Sequence, residues 1–222
     1  MKGFFDRGPL IYLITTGDLT AENYFEKSAE TLEIIRRAVE SEISLIQIRE
    51  KQLSAKQVFE LASKAANLTK NSKTKLLVND RADIALAAGA DGVHLPANGL
   101  SAEIVRREFP PGFIIGVSAH SPEEVEKARL GGADFATFGP VFATASKAKY
   151  GAPQGLSRLR EVSEAAGEFP IIALGGIDET NFTETLMAGA KGFAAIRFLN
   201  DAMGLPEIVR KIFSFRNSEA NL

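Results

Sequence analysis

The polar residues of this chain that could do chemistry gather at the ends of short apolar runs. Gln47, Arg49 and Lys51 alternate within QIREK, Asn79 and Asp80 close KLLVND, and His94 lies in GVHL. Ser118 and His120 follow in IIGVSAHS, and Thr144, Ser146 and Lys147 in FATASK. Gly175 and Gly176 end IIALGG, and Arg197 lies in FAAIRF. In an extended segment, alternation puts Gln47, Arg49 and Lys51 on one side of the chain. Fixed cations beside the exposed N–H groups of a glycine turn suit phosphate or diphosphate. A carboxylate among them, Asp80, suits Mg²⁺, which takes oxygen ligands and often shares them with substrate phosphates. The chemistry these residues imply is the binding of a phosphorylated or diphosphorylated small molecule.

Taken singly, each residue has a plainer explanation. Asp80 is placed to cap a helix starting near Arg81, a common use of aspartate. His94 could be a hydrogen-bonded core histidine, and His120 a loop residue ahead of the Ser121 cap. Arg49 and Lys51 could lie along a rim with their stems packed and their charges in water. Gly175-Gly176 could serve only a tight turn. None of these explains why all the groups follow apolar runs of the same kind.

Those runs are the elements that must position them. Strand candidates are 11–15, 44–49, 75–79, 92–95, 114–119, 135–141, 171–176 and 193–198. All are short and poor in charge, as strands covered on both faces are. Amphipathic stretches lie between them. Val58, Leu61, Ala62, Ala65 and Leu68 make one apolar stripe, with Ser54 and Gln57 as a capping box at its start. Ser121-Pro122-Glu123-Glu124 marks another helix start. AGADGV (88–93), GGADFA (131–136) and AGAKGF (188–193) repeat one helix-to-strand junction, with glycine suited to end the helix. A βα unit recurring eight times predicts a single (β/α)8 TIM barrel of the α/β class over residues 1–222, with short flexible tails at about 1–8 and 215–222. A doubly wound open sheet is the alternative, but no G-x-G-x-x-G follows the first strand. In a barrel, function sits at the carboxyl ends of the strands, where these polar residues fall.

Composition narrows the class of partner. With 222 residues, 45% of them hydrophobic, the chain can bury a substantial core. A formal net charge of −2 gives no basic field for nucleic acid. The absence of cysteine excludes disulfides and thiolate chemistry. No run reaches the ~20 apolar residues of a membrane span, and the N-terminus is not a signal peptide, so a cytoplasmic protein is expected.

QIREK, VNDRADIALAAGADGVHL, IIGVSAHS, FGPVFATASK with YGAPQGL, and IIALGGI together resemble the thiamine-phosphate synthases and their paralogues, the thiazole tautomerases, over about residues 11–200. The resemblance implies a (β/α)8 barrel that joins hydroxymethylpyrimidine diphosphate to a thiazole phosphate. The pyrimidine-side C–O bond breaks, and the thiazole nitrogen captures the carbocation. By the same resemblance, Gln47, Arg49 and Lys51 hold the diphosphate and pyrimidine, with Asn79 also on the diphosphate. Asp80 is a Mg²⁺ ligand, Ser118 sits beside the pyrophosphate, and Lys147 meets that leaving group. Thr144, Ser146 and the Gly175-Gly176 turn contact the thiazole phosphate. Two positions depart from the synthase pattern: Gly99, in PANG, stands where a second aspartate ligand is expected, and Arg197 replaces a phosphate-binding serine. The tautomerase alternative needs no metal and would use His120 as general acid and base. A non-catalytic paralogue that binds thiazole or thiamine phosphate is the third reading. Expected partners are the phosphorylated pyrimidine and thiazole, with no nucleic acid or membrane, and a homodimer is possible.

Overall fold

The structure is a computed structural model that describes residues 2–5, 8–144 and 152–219. Eight strands form a closed parallel barrel in chain order. They are β1 (Leu10–Ile14), β2 (Leu45–Ile48), β3 (Lys75–Asn79), β4 (Gly92–Leu95), β5 (Ile114–Ala119), β6 (Phe135–Phe138), β7 (Ile171–Leu174) and β8 (Gly192–Ala195). Closure is made by β8 pairing with β1, from Leu10 opposite Gly192 to Leu13 opposite Ala195. A short helix, α1 (Lys2–Phe5), precedes β1. The helices that follow the successive strands are α2 (Tyr24–Glu40), α3 (Ala55–Thr69), α4 (Ala82–Ala88), α5 (Ala102–Glu108), α6 (Pro122–Leu130), α7 (Gly155–Ala166), α8 (Phe182–Met187) and α9 (Leu205–Glu219). No helix among the described residues is long and apolar enough to cross a membrane.

Each strand has two buried faces, which is why the strands read as continuous apolar runs. Ile11, Leu13, Ile46, Ile48, Leu76 and Val78 face the helices. Leu10, Tyr12, Leu45, Leu77, Ile114, Phe135 and Ile172 fill the barrel, where Phe5 of α1 packs on Phe135 with ring centroids 5.7 Å apart. A period of two therefore sends Gln47, Asn79, His94 and Ser118 inward, beyond the apolar layer.

The local signals hold. Ser54 and Gln57 make the full capping box of α3, and the Ser121 hydroxyl accepts the Glu124 N–H at the start of α6. The repeated junction turns through Gly89, Gly132 and Gly189, all at positive φ. Strand ends differ from expectation by two residues or more at three places. β6 stops at Phe138 and β7 at Leu174, short of residues 141 and 176. The chain leaves β7 because Gly175 and Gly176 adopt φ of 105° and 67°, outside the extended region. Past β8, Arg197 is not in a strand but opens a 3₁₀ turn, Arg197–Leu199.

Candidate functional site

The inward residues meet at the carboxyl end of the barrel. Gln47, buried on β2, donates from Nε2 to Asn79 Oδ1 of β3 at 3.0 Å and accepts from the Tyr12 hydroxyl of β1 at 3.2 Å. Tyr12 also lies 3.2 Å from His94 Nδ1, and His94 Nε2 lies 3.0 Å from Ser118 Oγ. Burial, and secondarily the positive charge of Arg49, depresses the His94 pKa to about 3, so the ring is neutral in ordinary buffers. The core-histidine explanation of His94 is therefore correct as far as burial goes, and its partners reach the rim.

Arg49 and Lys51 stand at that rim. The Arg49 N–H donates to Thr15 Oγ1 at 2.9 Å, and Gly17 lies so near the Arg49 carbonyl that a Cβ there would be 3.3 Å away. Between the two cations Glu50 points the other way, is buried, and accepts the N–H groups of Gly17 at 3.1 Å and Leu19 at 3.0 Å. Glu50 thus fixes the loop after β1 against the base of Arg49. Lys51 is held below the usual lysine range, first by Arg49 and then by partial burial, with Asp80 opposing both. Two cations and one carboxylate therefore share one local field.

Asp80 is not a helix cap. Arg81 occupies the position before α4, no side chain caps that helix, and Arg81 pairs with Asp83 at 2.6 Å. Asp80 instead adopts φ of 63°, which aspartate tolerates better than most residues, and donates its N–H to the His94 carbonyl at 2.9 Å. Its carboxylate is left at the exposed rim. A Cβ built on Gly99 would lie 3.0 Å from Asp80 Oδ1, so position 99 does face Asp80 and brings no carboxylate to it. Among the described residues no three acidic or histidine side chains are grouped to hold a metal. A carboxylate is the oxygen donor Mg²⁺ takes, and a single one would leave that ion's other positions to waters and substrate phosphate oxygens.

The β6 and β7 loops interlock. Val141 and Phe142 donate their N–H groups to the carbonyls of Leu174 and Gly175 at 2.9 and 3.0 Å. A Cβ on Gly176 would fall 2.8 Å from the Ala143 carbonyl, so only glycine allows Thr144 to follow so close to this turn. Ser146 and Lys147 lie outside the described residues. His120 is exposed at the end of β5, with Nδ1 hydrogen-bonded to the Gly139 carbonyl and its N–H donated to Glu124 Oε2 at 2.6 Å. Arg197 is exposed on the 3₁₀ turn, which Asn200 ties to β1 through the Ile14 carbonyl at 2.8 Å. A cleft of about 1020 Å³ starts at Gly99 and Ser118 and runs outward between α5 and α6, so only its inner edge belongs to this site.

Sequence reading missed Tyr12, Thr137 and Glu50. Tyr12 and Thr137 stand in otherwise apolar strands, where one polar group on the inner face was the available signal. Glu50 was overlooked because its neighbours on both sides carried the charge pattern.

Known proteins resemble the chain over most of its length. The family model described as thiamine monophosphate synthase matches residues 11–199. A thiamine-phosphate synthase of Moorella thermoacetica is 38% identical over 182 residues, 82% of this chain and 86% of the relative. One from Caldicellulosiruptor saccharolyticus is 39% identical over 194 residues, 87% of this chain and 86% of the relative. The solved thiamine phosphate pyrophosphorylase of Pyrococcus furiosus superposes with a TM-score of 0.74 at 31% identity, covering 91% of this chain and 96% of that one. With its barrel, its rim of cations and a match over most of its length, the chain belongs to the thiamine monophosphate synthase family.

Proposed function

We propose that the protein is a thiamine-phosphate synthase, a transferase that joins hydroxymethylpyrimidine diphosphate to thiazole phosphate and releases pyrophosphate. The observation that carries this reading is the shared field of Arg49, Lys51 and Asp80 beside Asn79, whose amide oxygen is engaged by Gln47. Asn79 therefore turns its N–H₂ group outward as a donor to an anion. Arg49 and Lys51 take the charge that develops on the departing diphosphate, the interaction most worth strengthening in the transition state. The carbocation left on the pyrimidine is captured by the thiazole nitrogen, and the site must keep water from it meanwhile. The interlocked β6 and β7 loops offer Thr144 and the Gly176 turn to the thiazole phosphate, with Lys147 assigned to the leaving pyrophosphate. Mg²⁺, when bound through Asp80 and the diphosphate, would neutralise phosphate charge.

The test is to incubate the protein with both substrates and excess Mg²⁺ and to follow thiamine phosphate and pyrophosphate together. Equal amounts of both are expected at an enzymatic rate, and Asp80→Ala is expected to abolish their formation. Neither product from folded protein at saturating metal would refute the reading. One observation favours the tautomerase alternative: Gly99, which faces Asp80, brings no carboxylate to it. Thiazole isomerisation lost in His120→Ala, in a protein that forms no thiamine phosphate, would establish it.

A further inference from the structure

The polar side chains inside the barrel form one line of hydrogen bonds, Asn79–Gln47–Tyr12–His94–Ser118, and proton counting ties the sense of each bond to that of the next. Gln47 Nε2 donates to Asn79 Oδ1, which leaves Gln47 Oε1 to accept. Tyr12 has a single hydroxyl proton and gives it to that oxygen. The remaining contact, Tyr12 oxygen to His94 Nδ1 at 3.2 Å, then requires the proton on Nδ1. His94 is buried against the Phe135 ring, and its ring nitrogens meet hydroxyls rather than a carboxylate. The ring therefore holds that one proton, and Nε2 is a bare acceptor, met by Ser118 Oγ at 3.0 Å and more weakly by Thr137 Oγ1 at 3.4 Å. The Ser118 proton is thereby used inward.

We propose that this line sets the hydrogen-bonding sense of the site's two edges, with Tyr12 and His94 as positioning residues. At the β3 edge, Asn79 offers donors to an anion. At the β5 edge, Ser118 offers oxygen lone pairs, and so accepts from a ligand N–H rather than donating to phosphate. The inference rests on the synthase reading in one respect: the N–H group belongs to the pyrimidine substrate, and the anion is its diphosphate. The opposite sense would need both amides turned over and the histidine proton on Nε2. It would aim the Asn79 oxygen at the bound anion, so an anion at Asn79 selects the sense described.

The protein contains two histidines, so long-range proton–nitrogen spectra of ¹⁵N-histidine-labelled protein bound to pyrophosphate can resolve the tautomer. His94→Gln assigns the signals. We expect His94 to carry its proton on Nδ1. A proton on Nε2 in the unmodified protein would overturn the proposal, and that spectrum needs no variant that could misfold. In Tyr12→Phe the acceptor for Nδ1–H is gone, and the proton is expected to move to Nε2, where Ser118 and Thr137 can accept it. An unchanged tautomer would count against the line. Asn79→Ala should weaken pyrophosphate binding about tenfold or more, the loss of a hydrogen bond to a charged group, while Ser118→Ala should weaken it less than about twofold. Equal losses would overturn the assignment of the two edges. These readouts use pyrophosphate alone, so they stand or fall separately from thiamine phosphate formation.

Discussion

Lowering the pH should destabilise this protein through His94 before its carboxylates titrate, and the size of the effect follows from burial. An imidazole with an ordinary pKa of 6.5 is held to about 3 in the folded barrel. The unfolded chain therefore takes up the proton first as the pH falls. The stabilisation from keeping the ring neutral is whole above 6.5 and is lost progressively toward pH 3. At pH 5 the unfolded state has gained about 2 kcal/mol from protonation that the folded state has not matched. In a domain of this size that corresponds to roughly 4–8 °C in Tm. Urea unfolding of the wild type and of His94→Gln, at pH 7.5 and pH 5, isolates the effect. Other groups are common to both proteins and cancel, and glutamine can hydrogen-bond without titrating. The wild type should lose about 2 kcal/mol more than the variant over this interval. Equal losses would mean that His94 is not held neutral in the folded state, and the reasoning would fail.

Three other outcomes follow from the geometry. Gly99→Asp sets a second carboxylate against Asp80, so thiamine phosphate formation measured against Mg²⁺ concentration should saturate at lower metal. Without metal the two like charges and the contact with Pro96, where a Cβ would lie 2.9 Å from Cγ, should lower the melting temperature. Gly116→Ala would place a methyl 2.4 Å from Phe135 Cζ and 2.7 Å from His94 Nδ1, so overpacking should cost roughly 1–3 kcal/mol in chemical denaturation. Ser121→Ala removes the acceptor for the Glu124 N–H at the start of α6 and should cost about 1 kcal/mol by the same measurement, with activity retained.

The barrel was legible in the sequence because its information is local. Short doubly buried strands, Ser54 and Ser121 at helix starts, and glycine at residues 89, 132 and 189 each act within a few residues. The clustering of polar residues at strand ends was legible for the same reason. The line through Tyr12 was not, because its partners lie 35 and 82 residues away and only barrel closure brings them together. Asp80 was ambiguous because a helix cap and a ligand-facing carboxylate look alike until the backbone is known. The ends of β6, β7 and β8 were placed too far along because the apolar residues continue after the extended conformation has stopped.

Glu50 and its neighbours give the segment 47–51 two masters. Gln47, Arg49 and Lys51 answer to the ligand, while Glu50, between them, answers to the loop after β1. Removing or adding one residue here would exchange these roles, turning the binding groups toward the scaffold and the anchoring carboxylate toward phosphate. Length changes are better tolerated elsewhere, in outer helices and distal loops, where a shift of frame does not invert inside and outside. This strand can vary by substitution, but its spacing is heritable only as a unit.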